Sequence, residues 1–309
     1  MANLGNILNL VNCGLNATLG TGTKGCAPFF RKVSAISFLP AGFKLDSSKD
    51  LDLEYFKELQ AGGNLIHVKG IREFTDNSSD DTIDELPDGT KQVASYGMYE
   101  FQVSFIKGMY FQAALTSLNS FGDYDVIMWD IDGNALGTKS VNGSLKGLTA
   151  GMIQASKLSW ATDSQGSRNG ISFQLLERSE VDTNYVYISS DNLDFNANMV
   201  DGINEVEVSF AEVPADLDTE ITLEVVTKQD HKPLSGVLFS DFLVMKDGAT
   251  ANPTAGDDSV KAGTYVLTVS VLATNEDISA QLYDSSSNQA VISLDEDLYK
   301  SNEATATVV

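Results

Sequence analysis

The chain has 309 residues, 42% of them hydrophobic, with 43 acidic against 20 basic residues and a formal net charge of −23. That length holds two ordinary domains or one large β domain with an appendage. The charge excludes a protein that grips DNA or an anionic membrane through phosphates, which takes basic patches.

Residues 1–28 are rich in Gly, Asn and Thr and are compatible with a two-turn helix at Leu4–Val11. They read either as an arm that orders against a neighbour or as a loosely packed terminus. Their two cysteines, Cys13 and Cys26, make no disulfide framework, and reduced thiols are the expectation for a protein made in the cytoplasm. No basic n-region of a secretory signal is seen. No run approaches the roughly 18 apolar residues of a membrane span.

From Phe29 to Phe38 the pattern is apolar and β-compatible, until Pro40 and Gly42 break it. Ser47 with Asp50 fits a capping box for a helix over 48–61, with Leu51, Tyr55 and Leu59 on its apolar face and Gly62-Gly63 as its stop. Asn64 to Phe74 reads as one strand. The next segment, 75–95, carries Asp76, Asp80, Asp81, Asp84, Glu85 and Asp88 and almost no apolar residue. Such a stretch cannot enter a core. It projects, either as a disordered loop or as a long hairpin arm turning at Pro87-Asp88-Gly89. Its low apolar content predicts ordering only on assembly.

Tyr99, Phe101, Val103 and Phe105 alternate with Glu100, Gln102 and Ser104, which predicts a half-buried strand. After Gly108 the period changes: Phe111, Ala114, Leu115 and Leu118 lie on one helical face, and Asn119 and Gly122 offer stops. YDVIMWD is apolar on nearly every residue, as a strand covered on both faces would be. It enters Ile131-Asp132-Gly133-Asn134, where Asp-Gly predicts a two-residue hairpin turn. Lys139–Met152 is punctuated by glycine, strands follow at 171–177 and 186–189, and VEVSF at 206–210 alternates again. Pro214-Ala-Asp-Leu-Asp reads as a linker. Beyond it, short strands with turn signals every 8–12 residues or so predict a β-sandwich the size of an immunoglobulin-like module. Ile221, Leu223, Val225, Tyr265, Leu267, Val269 and Val271 are its expected core.

Little of this points to catalysis. The histidines are His67, in a strand, and His231, in a loop, and no Gly-x-Ser-x-Gly elbow accompanies them. His/Cys zinc ligands, a phosphate-binding Gly-Lys loop and a dinucleotide fingerprint are missing. With Asp130 as position one of a calcium loop, the sixth residue is Ala135 and the twelfth Val141, so the EF-hand pattern fails. Nothing singles out a glycosidase carboxylate pair. The aromatics fall at strand and helix core positions, which leaves a sugar-stacking platform unsupported. No cofactor or metal is implied.

The order of acidic loop, strand YEFQVSFI, helix FQAALTSL, strand YDVIMWD and turn DIDGN, followed by LGT and Gly-rich turns, resembles the tail-tube-type structural proteins of tailed bacteriophages. The likeness is to those of phages of gut Bacteroidetes, crAss-like phages included, and it covers roughly residues 65–200. Together with the elements read above it gives a mainly β chain: an N-terminal arm at 1–45, a tail-tube-like β-sandwich with one or two short helices at 46–213, and an immunoglobulin-like sandwich at 214–309. It implies a non-enzymatic subunit of a homo-oligomeric ring or tube, in the tail or at the head-to-tail interface of the virion. Partners would be other tail, portal or connector proteins, with DNA passing unbound and no membrane. Asp76, Asp80, Asp81, Asp84, Glu85 and Asp88 would then lie on a subunit-interface arm. The Gly-rich terminus and the 48–61 helix depart from a minimal tube protein and leave a connector ring open. An acidic bore would repel phosphates and let a duplex slide, although solubility is the commoner role of such charge. The alternative reading is a virion surface protein, either a capsid decoration or a host-glycan-binding module.

Overall fold

The computed structural model of the chain describes Leu4 and residues 30–309 except positions 287 and 296, with the side chains of 257–260 also left out. Both cysteines and residues 1–3 and 5–29 of the N-terminal arm expected at 1–45 lie outside the described residues. The chain is mainly β. It divides into two units, Met1–Phe56 with Gly63–Val200, and Lys57–Gly62 with Asp201–Val309.

In the first unit a curled ten-stranded sheet packs a core on one face. Tyr124–Asp130 is its centre, buried at every position but Tyr124, as expected of an unbroken apolar strand covered on both faces. Val33–Pro40 lies along one edge of it and Ile66–Lys69 lies beyond. Residues 33–40 are therefore sheet, not arm. The other edge is shared by Ala135–Lys139 and Leu148–Ala155, and the latter continues through Asn169–Leu175 and Glu100–Phe105 to Glu73–Asp76. Phe101, Val103 and Phe105 alternate into the core, with Tyr99 packed at its margin. The helix Met109–Ser117 buries Leu115, with Leu118 just past its end and Phe111 half-buried, on this same core. Ala114 is exposed, so the apolar stripe is narrower than the sequence suggests.

Three local expectations are corrected. The helix expected over 48–61 runs Leu53–Ala61 and is capped by Asp52, whose Oδ1 accepts from Tyr55 N at 2.8 Å. Ser47 and Asp50 lie a turn too early to cap it, although Leu51, Tyr55 and Leu59 are buried as expected. The 64–74 strand is two, Ile66–Lys69 and Glu73–Asp76, parted at Gly70 with φ 81°. That left-handed residue lets the chain leave one partner strand for another. The Asp130–Asn134 turn has three loop residues, with Gly133 at φ 86° and Asp130 N donating to Asn134 O at 3.0 Å. Gly at the left-handed third position defines that hairpin class.

The second unit stacks two sheets on one core. The six-stranded sheet runs Ala255–Lys261, Thr264–Thr268, Glu220–Thr227, Ile203–Phe210, Asp297–Ser301 and Val291–Leu294. Facing it are Ala249–Thr250, Phe242–Lys246, Asp277–Leu282 and Ala304–Thr307. Pairing is antiparallel except between Ile203–Phe210 and Asp297–Ser301. The boundary expected at 213/214 thus falls at 200/201. Ile203–Phe210 is an inner strand of this sandwich, and the Pro214 segment is its connection to Glu220–Thr227. Six of the seven expected core residues are buried, whereas Val271 is 53% exposed. The strand ends at Thr268, alternation lapses, and Leu272 takes the inward place at 1% exposure.

Candidate interaction site

Residues 77–98 leave the sheet where Asp76 pairs with Phe101. Within them Thr82–Glu85 and Lys91–Ser95 form a two-stranded hairpin that pairs with no other strand among the described residues. Every residue of both strands is exposed. Of the two alternatives for this segment, the structure has the hairpin.

The six acidic residues divide by role. Three hold the hairpin together. Asp76 Oδ1 accepts from Ser78 N at 2.9 Å, and Asp88 Oδ1 accepts from Thr90 N at 3.0 Å and Thr90 Oγ1 at 2.6 Å, local loops that fix a turn. Asp81 Oδ1 takes Gly97 N at 2.8 Å and is ion-paired to Arg178. Asp80, Asp84 and Glu85 face solvent on the projecting part.

What anchors the root was not legible in the sequence. Arg178 reaches Asp81 and, at 2.7 Å, Asp182 four residues on, while Tyr99 Oη donates to Asp182 at 2.5 Å. The Gly97 amide and then the Arg178 guanidinium hold the Asp81 carboxyl below its usual range, and the Tyr99 hydroxyl and then Arg178 do the same for Asp182. Gly97 admits no side chain: a Cβ there would lie 1.8 Å from Ser79 O. The root is defined and the tip is bare.

Elsewhere three buried polar clusters close on themselves. Trp129 Nε1–H donates to Ser37 Oγ at 2.8 Å, Ser37 Oγ lies 2.9 Å from His67 Nδ1, and His67 Nε2 lies 2.8 Å from Ala197 O. A carbonyl can only accept, so Nε2 carries the proton and Nδ1 accepts from Ser37. Ser37 is fully buried and His67 5% exposed, so this Ser–His pair knits the core and offers no nucleophile to solvent. Asp130, also fully buried, accepts from Arg31 N, Asp132 N, Asn134 N and Asn134 Nδ2 at 2.8–3.1 Å. That carboxylate shapes the turn. Glu180 is likewise consumed by Lys146 Nζ and by Thr149 N and Oγ1.

The aromatics do not all lie in the core. Trp160 is 66% and Tyr110 64% exposed, because one sits in the 156–168 connection and the other on the outer side of its helix. Among the described residues no helix is long and apolar enough to cross a membrane.

No protein-family model matches the chain, and no curated protein does. Among solved structures, it is similar to SGBP-B of the Bacteroides ovatus mixed-linkage glucan utilization locus, in complex with a mixed-linkage heptasaccharide. The identity is 11% over 89% of this chain, with a TM-score of 0.21. The chain spans 60% of that structure's length. A TM-score this low carries no argument about fold or activity.

Proposed function

We propose that this chain is a non-enzymatic virion structural protein of a tailed bacteriophage. It is a subunit of a homo-oligomeric ring or tube, in the tail or at the head-to-tail interface, assembled in the host cytoplasm with other tail or connector proteins. The observation that carries this reading is the hairpin: a projecting arm with a fixed root, whose strands pair with no other strand among the described residues. A two-stranded ribbon is marginal alone in water, and open strand edges invite pairing with another chain. The net charge of −23 suits a bore that passes DNA without holding it. Light scattering with negative-stain imaging tests the reading. The expected result is an annular oligomer with an open bore and no duplex binding even at low salt. A monomer at every concentration, or tight salt-sensitive DNA binding, refutes it.

Exposed Trp160 and Tyr110 favour a second reading, a glycan-binding surface module, since sugars stack on such rings. Saturable binding of a soluble polysaccharide by the monomer, abolished by Trp160→Ala, would select it.

A further inference from the structure

We infer that the end of the first unit's sheet opposite the hairpin is the acceptor for the acidic hairpin of a second copy, so that copies join head to tail. This rests on the hairpin being an interface arm. The register places the two ends. Glu73 pairs with Ser104, Asn169 with Phe105 and Ala155 with Ile171. The connections 70–72, 106–112 and 156–168 therefore leave the sheet together, at the far end of Glu100–Phe105 from Asp76. The six residues of that strand separate the two ends by roughly 20 Å. A hydrogen bond joins 106–112 to 156–168, and others fasten 106–112 and 70–72 to the sheet end. Lys107 N donates to Asn169 Oδ1 at 3.1 Å, Gln112 Nε2 to Ser156 O at 2.7 Å, and Arg72 N to Ser104 O at 2.8 Å.

The two ends are complementary in charge and in kind. Segment 75–95 holds six carboxylates and one lysine. The three connections, with Glu73, hold Arg72, Lys107, Lys157 and Arg168 against Glu73 and Asp163, a local cationic excess in a chain of net charge −23. Arg168 is bridged to Glu73 at 2.8 Å, and Arg72, Lys107 and Lys157 are exposed. Large apolar side chains lie among these cations: Ile106 is 59%, Met109 64%, Tyr110 64% and Trp160 66% exposed. The hairpin answers with a cross-strand Ile83–Val93 pair, 59% and 44% exposed. Apolar residues ringed by matching charge are what a specific interface presents, with the charge setting partner and register. The two surfaces lie at opposite ends of one sheet, so no chain can close the contact with itself. Association is heterologous and yields a ring where the rotation closes.

The test uses two full-length variants, each checked for native circular dichroism and melting temperature. Asp84→Lys with Glu85→Lys disables the arm, and Lys107→Glu with Lys157→Glu disables the acceptor. In sedimentation velocity, wild type should assemble, with mass falling as salt screens the exposed pairs. Each variant alone should lose assembly at least tenfold in concentration. Mixed together, the native arm of one meets the native acceptor of the other and the reversed arm meets the reversed acceptor, so the two should recover assembly in alternation. In an equal mixture, Trp160 emission should move to the blue, read against a Trp160→Phe background that reports Trp129 alone. Wild-type assembly with an acceptor variant that assembles as well overturns the acceptor assignment while leaving the ring standing. Two assembly-dead variants that do not complement each other overturn the head-to-tail geometry. A wild type that stays monomeric overturns both this inference and the ring.

Discussion

Ser37→Ala removes one oxygen from a buried polar chain. Its hydroxyl accepts from Trp129 Nε1–H and donates to His67 Nδ1, with Ser37 at 0%, Trp129 at 1% and His67 at 5% exposure. No water reaches the space, so the change strands a donor on the indole and an acceptor on the imidazole. Each buried unsatisfied group costs about 1–3 kcal/mol, so the loss should be about 2–5 kcal/mol, since some relaxation will recover part of the larger sum. That is well above the typical ~1 kcal/mol of a point substitution. Urea unfolding followed through Trp129 emission, in a Trp160→Phe background, measures it directly. The midpoint should fall at constant m-value. Ser37→Thr, which keeps the hydroxyl, should recover most of the loss. A cost below about 1 kcal/mol, or equal costs for Ala and Thr, would refute the hydrogen-bond assignment and leave only packing.

Leu115→Ala should cost about 2–4 kcal/mol. Three lost carbons at ~0.8 kcal/mol each give the base, and every ~50 Å³ of cavity that fails to collapse adds about 1.2 kcal/mol. Exposed Ala114→Ser should shift stability by no more than about 0.5 kcal/mol in the same melt. Asp81 and Asp182 have folded-state pKa values held below the ordinary aspartate value. Their contribution to the hairpin root is therefore complete above the ordinary aspartate range and is lost as pH falls through the lowered values. The Gly97 amide resonance, read by NMR, should titrate with a midpoint below 3.8; a midpoint at or above it would mean that Asp81 does not hold the root. Asp125 is pushed the other way by burial, so its charge opposes folding at neutral pH and the penalty eases as pH falls through its raised value. Asp125→Asn should leave the melting temperature at pH 7 unchanged or higher, and a clear drop would refute this. Residues 201–309 should fold alone while 215–309 should not, because the shorter piece lacks Ile203–Phe210 from inside the sheet; a cooperative melt of 215–309 would count against the sandwich as described.

The sequence by itself determined what repeats with a period. Alternation at Phe101, Val103 and Phe105, the unbroken run of Tyr124–Asp130, and the Phe111–Leu115–Leu118 face all follow from side-chain direction along a strand or helix, which depends on neighbours in sequence alone. So did the projection of 75–95, because a stretch with six carboxylates and almost no apolar side chain has nothing to bury.

Tertiary structure decided whatever rests on partners far along the chain. Arg178 finds Asp81 across 97 positions, His67 finds Ala197 across 130, and Ile203–Phe210 joins Asp297–Ser301 from the other end of its unit. No local pattern encodes such pairings, since the same alternation fits any sheet edge of matching polarity. For the same reason the VEVSF strand could be read from sequence but not assigned to its unit. The cationic patch also escaped notice: Arg72, Lys107, Lys157 and Arg168 are scattered in sequence, and the sheet register gathers them at one end. Charge in a chain is counted by composition, but its field is set by where folding brings the charges together.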